Sequence, residues 1–182
     1  MKFEIIKYKK VTSTNDTAIN LIKKRNKKIG FVIAENQTKG RGTKGKKWIS
    51  KKGNLFCSLF FPLKGNLPPF NEFSIISPVI VSDVIKIFCE DDNVNLKFPN
   101  DIFLNGKKIC GILQEVVTID NVKFLITGVG MNISSSPNIN SLYKTTNFLS
   151  ETKKSPEINK VIKVMIKSYE KFFINLKNYN YE

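Results

Sequence analysis

The order of apolar and polar positions divides the chain into short strand-like and longer helix-like stretches. Residues 3–9 read as an opening strand. Ser13-Thr14-Asn15-Asp16 fits a capping box, a hydroxyl residue followed three positions later by an acid. Ala18, Leu21 and Ile22 then recur at helical spacing. Residues 31–35 form a short apolar strand, 36–52 a polar loop rich in Gly and Lys, and 55–61 a strand stopped by Pro62. Residues 72–89 are apolar nearly all round, as for a buried helix, with Pro78 implying a kink or a later start. Strands follow at 95–98 and 101–104, and Asn105-Gly106 supplies a type I′ hairpin turn. Residues 107–118 and 122–130 pair across Asp120-Asn121. The last helix has Ser155 as cap and Pro156 at its first position, carries one stripe from Ile158 to Leu176, and ends near Lys177. Strands joined by hairpins and by helices imply an α/β fold of the α+β type around a mixed sheet.

A length of 182 residues with 41% hydrophobic and 25% charged composition fits one folded domain spanning 1–182. The longest apolar stretch is interrupted by Ser, Pro, Asp and Lys, and residues 1–10 lack a signal-like apolar run, so a membrane span and secretion are not expected. Cys57, Cys89 and Cys110 lie far apart, which suits reduced thiols in a cytoplasmic protein. The chain has no histidine. That excludes Ser-His-Asp and Cys-His catalysis and leaves Lys, Arg, Asp, Glu, Asn and backbone groups. The net charge of +15 suggests a nucleic-acid partner, but all of the 30 basic residues except Arg25 and Arg41 are lysines, spread along the chain. Base readout favours clustered arginine forks, so specific nucleic-acid binding is not expected.

Candidate chemistry concentrates in three segments. Gly40-Arg41-Gly42-Thr43-Lys44-Gly45-Lys46-Lys47-Trp48 matches G-x-G-x-x-G and nearly Walker A. It leads into a strand rather than a helix, and Lys47 stands where Ser or Thr should hold Mg²⁺, so both nucleotide-fold readings fail on context. Glycines still let this backbone close on a ligand, with Arg41, Lys44 and Lys46 as charge for a phosphate or carboxylate and Trp48 to stack on a base. In Lys97-Phe98-Pro99-Asn100-Asp101, Pro99 breaks the ladder and exposes Asn100 and Asp101. Strict alternation over 107–118 places Lys108, Cys110, Ile112 and Gln114 on one face and Ile109, Gly111 and Leu113 on the other. Gly111 in mid-strand implies close approach of a ligand or of another backbone. Gly128-Val129-Gly130-Met131-Asn132 ends a strand and delivers an asparagine.

Ser13-Thr14-Asn15, Gln37 before GRGTKGKKW, KFPND, KKICGIL and GVGMN occur in the order and spacing of biotin protein ligases. Over about residues 10–133 the chain resembles that family. The resemblance implies a class II synthetase-like catalytic domain with a largely antiparallel central sheet flanked by helices. It implies a reaction in which biotin and ATP give biotinyl-5′-AMP and pyrophosphate, with Mg²⁺ accompanying the nucleotide. Biotin then passes to a lysine of a biotin carboxyl carrier domain of a biotin-dependent carboxylase. By position, Ser13, Thr14 and Gln37 would hold the ureido end of biotin with Asn15 in support, and Arg41, Gly42, Thr43 and Gly111 would complete that pocket. Gly40, Arg41, Lys44 and Lys46 would face the phosphates, Trp48 and Asn132 the adenine, and Asn100 and Asp101 the nucleotide and metal region. Asp101 is the one candidate metal contact. Lys108, with Arg41, would bridge carboxylate and α-phosphate as the catalytic pair. Thr43 stands where the family usually has a basic residue, which suggests looser retention of the adenylate, and Phe98 where it usually has Trp. Neither an N-terminal winged helix nor a C-terminal SH3-like barrel is expected in 1–182, and a homodimer is left open. Lipoate or octanoyl transferases share the fold, and a basic binding module is the non-enzymatic alternative.

Overall fold

A computed structural model describes residues 1–89, 93–138 and 143–176. Strand β1 (Ile5–Val11) leads through helix α1 (Thr14–Arg25) to β2 (Gly30–Gln37), which lies parallel to β1. β3 (Leu55–Pro62) follows the long loop, and α2 (Phe73–Phe88) precedes β4 (Val94–Lys97), β5 (Asp101–Leu104), β6 (Lys107–Ile119) and β7 (Val122–Met131). Two further helices, α3 (Phe148–Thr152) and α4 (Ile158–Leu176), close the described chain. The seven strands form one sheet in the order β1-β2-β3-β7-β6-β5-β4, antiparallel throughout except for β1 and β2. The expected mixed, largely antiparallel sheet is therefore present.

Period-two alternation sends side chains to two cores. Phe31, Leu55, Leu59, Phe61, Leu125 and Val129 face α2 and α4, where Val81, Ile85, Met165 and Phe173 meet them. Val32, Phe60, Phe124 and Ile126 face α1 through Ala18, Leu21 and Ile22. The turn expected as type I′ has the positive φ that this turn needs at both central positions, Asn105 and Gly106, and the Asp120-Asn121 turn has it too.

Four expectations are corrected. Ser13 sits at the N-cap of α1, yet its side chain makes no capping hydrogen bond, and Asp16 is drawn instead to Arg41. Pro78 lies inside α2, which already begins at Phe73, so the later start does not hold. That helix is not buried all round, because Ile75, Val79 and Ile87 are exposed. Helix α4 begins at Ile158, two residues after Pro156, and the carbonyl of Glu157 accepts its first backbone hydrogen bonds, from Lys160 and Val161. Its expected end near Lys177 lies outside the described residues.

Strict alternation in β6 also fails. The pairing of β5 with β6 shifts between Ile102 and Phe103, so Ile102 opposes Cys110 while Phe103 opposes Lys108. Ile109 is the extra residue of a bulge. It turns into the core with Cys110 and Ile112, and Lys108 joins Gly111 and Leu113 on the opposite face.

Candidate active site

On the α1 face of the sheet, β7 reads Phe124, Ile126, Gly128, Gly130. The first two pack beneath α1, and the glycines continue past the helix as the floor of an open cavity of about 220 Å³. Gly130 opposes Gly111 across β7 and β6, and a Cβ on either would strike the Trp48 indole. A Cβ on Gly128 would strike the Asn15 amide. The close approach expected at Gly111 is thus that of Trp48. The Trp48 Nε1 donor is buried without a hydrogen-bond partner.

The polar end is built by the N-terminus of α1 with β2 and β3. Thr14 donates to Gln37 Oε1 from its backbone N at 2.8 Å and from Oγ1 at 3.1 Å. Gln37 Nε2 donates to Ser50 Oγ at 3.1 Å. Ser58 Oγ lies 2.5 Å from Asn15 Oδ1, to which it donates, and 2.7 Å from Thr14 Oγ1. Asn15 Nδ2 donates to Leu113 O at 3.2 Å and to Glu115 Oε2 at 2.7 Å. Ser13 is buried and lines the same end.

Arg41 does not point its charge into an empty space. Its Nη1 donates to Glu115 Oε1 at 2.7 Å, and Nη2 to Glu115 Oε2 at 2.6 Å and Asp16 Oδ1 at 2.8 Å. The hydrogen bonds it donates to Glu115, against partial burial and together with the charges of Glu115 and Asp16, raise the guanidinium above its already high ordinary value.

At the other end Lys108 Nζ lies 2.7 Å from Asp101 Oδ1 and 5.6 Å from the Trp48 ring centroid. Asn100 Nδ2 donates to the same Asp101 oxygen at 2.8 Å. Residues 144–146 run beside Lys108, whose backbone N donates to Lys144 O and whose O accepts from Thr146 N. Asn132 is buried. Its Nδ2 donates to Thr146 O at 2.9 Å, while its Oδ1 is buried and has no partner. Glu151 fastens this corner by accepting from Thr146 Oγ1, from Asn105 Nδ2 and from Lys107 Nζ. Burial opposes its ionisation, yet these three donors hold its carboxyl down at about 2.

Of the expected residues, Ser13, Thr14, Asn15, Gln37, Arg41, Gly42, Thr43, Lys46, Trp48, Asn100, Asp101, Lys108, Gly111 and Asn132 all line the one cavity. Gly40 and Lys44 do not. Gly40 is packed against Trp48 O and the Ser50 hydroxyl, and Lys44 is exposed at a φ of 55°. Sequence reasoning missed Ser58 and Glu115. Ser58 is signalled as a lone hydroxyl in an otherwise apolar strand, Glu115 as the acid two alternations beyond Gly111. Among the described residues no cluster of three His, Cys, Asp or Glu could hold a metal.

Residues 7–132 match the model of the biotin/lipoate A/B protein ligase family. The chain belongs to that family. Its similarity within the family is to biotin ligases. The bifunctional ligase/repressor BirA of Bacillus subtilis is 33% identical over 130 residues, 70% of this chain and 40% of that protein. The chain thus spans well under half the length of that curated relative. The biotin protein ligase of Leishmania major, solved with biotin, superposes with a TM-score of 0.81 at 29% identity, over 91% of this chain and 72% of that one. The ligase from Aquifex aeolicus, solved with biotin and ATP, gives 0.79 at 27% identity, over 96% and 70%. These neighbours establish the ligase fold expected for the family's catalytic domain.

Proposed function

We propose that the chain activates biotin with ATP to biotinyl-5′-AMP and transfers the biotinyl group to a lysine of a carboxylase carrier domain. The observation that carries this reading is a single glycine floor joining the Thr14–Gln37–Ser58 polar end to the Lys108 end. The polar end suits the ureido group of biotin, which both donates and accepts hydrogen bonds. The apolar chain would run alongside the Trp48 indole, which itself lies on Gly111 and Gly130, and the carboxylate would reach Lys108.

In the first step a carboxylate oxygen bonds to the α-phosphorus as the bond to pyrophosphate breaks. The carboxylate is already a nucleophile, so no histidine is needed. The chain supplies alignment and cationic charge between two anions. Lys108 stands where that charge develops, and Asp101 with Asn100 holds its ammonium in place. The orphan Asn132 Oδ1 suits the 6-amino group of adenine, and the Trp48 ring borders the same space. In the second step the carrier amine attacks the acyl carbonyl, AMP leaves, and the amine loses a proton. Mg²⁺ would enter with the ATP phosphates, Asp101 being the acidic residue that lines the cavity, and would screen the leaving pyrophosphate. Arg41 serves in this reading to hold the loop, because two carboxylates already engage it.

Exchange of labelled pyrophosphate into ATP tests the proposal. Exchange should depend on biotin and should not appear with lipoate or octanoate. Exchange with lipoate in place of biotin would move the chain to the lipoate branch, and none with any acid would remove the activation step.

A further inference from the structure

The loop between β2 and β3 is fastened by one continuous run of side-chain contacts that leaves it at Arg41 and returns at Ser50. Arg41 donates twice to Glu115, Glu115 accepts from Asn15, and Asn15 accepts from Ser58. Ser58 adjoins Thr14, Thr14 donates to Gln37, and Gln37 donates to Ser50. The run passes through α1, β2, β3 and β6, so the loop and the polar end of the cavity form one network. Glu115 is its only carboxylate. One oxygen takes Arg41 Nη1, and the other takes both Arg41 Nη2 and Asn15 Nδ2. Such a two-pronged pairing fixes direction as well as distance.

We infer that Glu115 is a positioning residue that couples the polar end of the cavity to closure of the 40–50 loop, acting through Arg41 and Asn15. The inference rests on the ligase reading above. Without the Glu115 charge Arg41 keeps only Asp16, the start of the loop is loosened, and with it the Trp48 indole that the loop lays over Gly111 and Gly130. Ligand must then order the loop when it binds. Apparent affinity falls by the fraction of molecules already closed, and the step inside the closed complex is unchanged. Glu115 thus belongs to capture of the small molecules, not to the chemistry.

Glu115→Gln is the test. It keeps shape and an acceptor for Asn15 and removes one of the two carboxylate charges on Arg41, leaving Asp16. In ligand-free protein, acrylamide should quench Trp48, the only tryptophan, more strongly in Glu115→Gln than in the parent, with Tm nearly unchanged. In pyrophosphate exchange, KM for biotin should rise about fivefold, as for a good but partly exposed ion pair, with kcat near the parent value. Arg41→Ala should raise quenching likewise, and in quenching the double variant should be no worse than the worse single one. Parent-like quenching, full additivity, or a fall in kcat at unchanged KM would each overturn the inference. So would a loss of Tm with parent-like quenching, which marks a purely structural residue. Should the parent show no biotin-dependent exchange, the ligase reading fails, and the quenching comparison still decides the role of Glu115.

Discussion

Lys108 stands where three restraints cross: Asp101 at 2.7 Å, the face of Trp48, and backbone hydrogen bonds to residues 144 and 146. A charge so restrained acts most where negative charge gathers in the transition state. Lys108→Ala should therefore slow single-turnover formation of biotinyl-AMP by about 10²–10³-fold while biotin binding changes little. Lys108→Arg keeps the charge but not a point geometry beside Asp101, and should rescue poorly. A parent-like rate in Lys108→Ala would show that another cation serves. Lys107 differs, because its ammonium pairs with the nearly buried Glu151 and not with the cavity. Lys107→Ala should leave adenylation near the parent rate but lower Tm, a change readable by circular dichroism. Trp48 is a built-in reporter, its Nε1 unpartnered and its ring against two glycines. Its emission should shift on adding biotin with ATP more than with either alone, and an unchanged spectrum at saturation would place the ligand elsewhere.

The β5–β6 hairpin and α3 form the element that aims Lys108 and Asn132, and Glu151 joins the two. Its carboxyl is held at about 2 against an ordinary 4.5, so the unfolded chain takes up this proton at higher pH than the folded one does. The stabilisation is complete above about 4.5 and disappears as pH falls toward 2. Thermal melts from pH 5 to pH 2.5 should lose stability more steeply in the parent than in Glu151→Gln, and parallel curves would remove Glu151 from that role. Much of this was legible in the sequence. Hairpin turns show in Asn105-Gly106 and Asp120-Asn121 because only certain residues accept positive φ, and β3 shows in a continuous apolar run. The bulge at Ile109 was not, since an extra residue leaves no mark in a pattern of apolar side chains. The face of Lys108 was therefore assigned wrongly from alternation alone. Nor was α3 legible, five residues whose N-cap Asn147 accepts from the Ser150 amide in a polar segment. The engagement of Arg41 needed the fold, because Asp16 and Glu115 lie 25 and 74 residues away along the chain.

Over the whole molecule a net charge of +15 is carried mostly by dispersed lysines. Among the described residues they are spread over strands, loops and helices, not gathered on one helix. Binding to random duplex DNA, followed by fluorescence anisotropy, should be sequence-independent and should fall steeply between about 50 and 200 mM salt. A specific footprint at physiological salt would refute this. The two cores divide the work: α2 and α4 pack against one face of the sheet, while on the other the apolar side chains of α1 end at Ile126, and from Gly128 onward β7 carries only the Asn15 amide and the Trp48 indole. That strand is a ruler. Bulk ends at Ile126, room begins at Gly128, and the border between folding and binding is two residues wide. Moving the mark has opposite consequences in the two directions. Gly128→Ala would shorten the room and press on Asn15. Ile126→Ala would open space in the core beneath α1, behind the Asn15 amide, at a cost of about 2–5 kcal/mol of stability. Room for ligand and fold stability are thus graduations on the same strand.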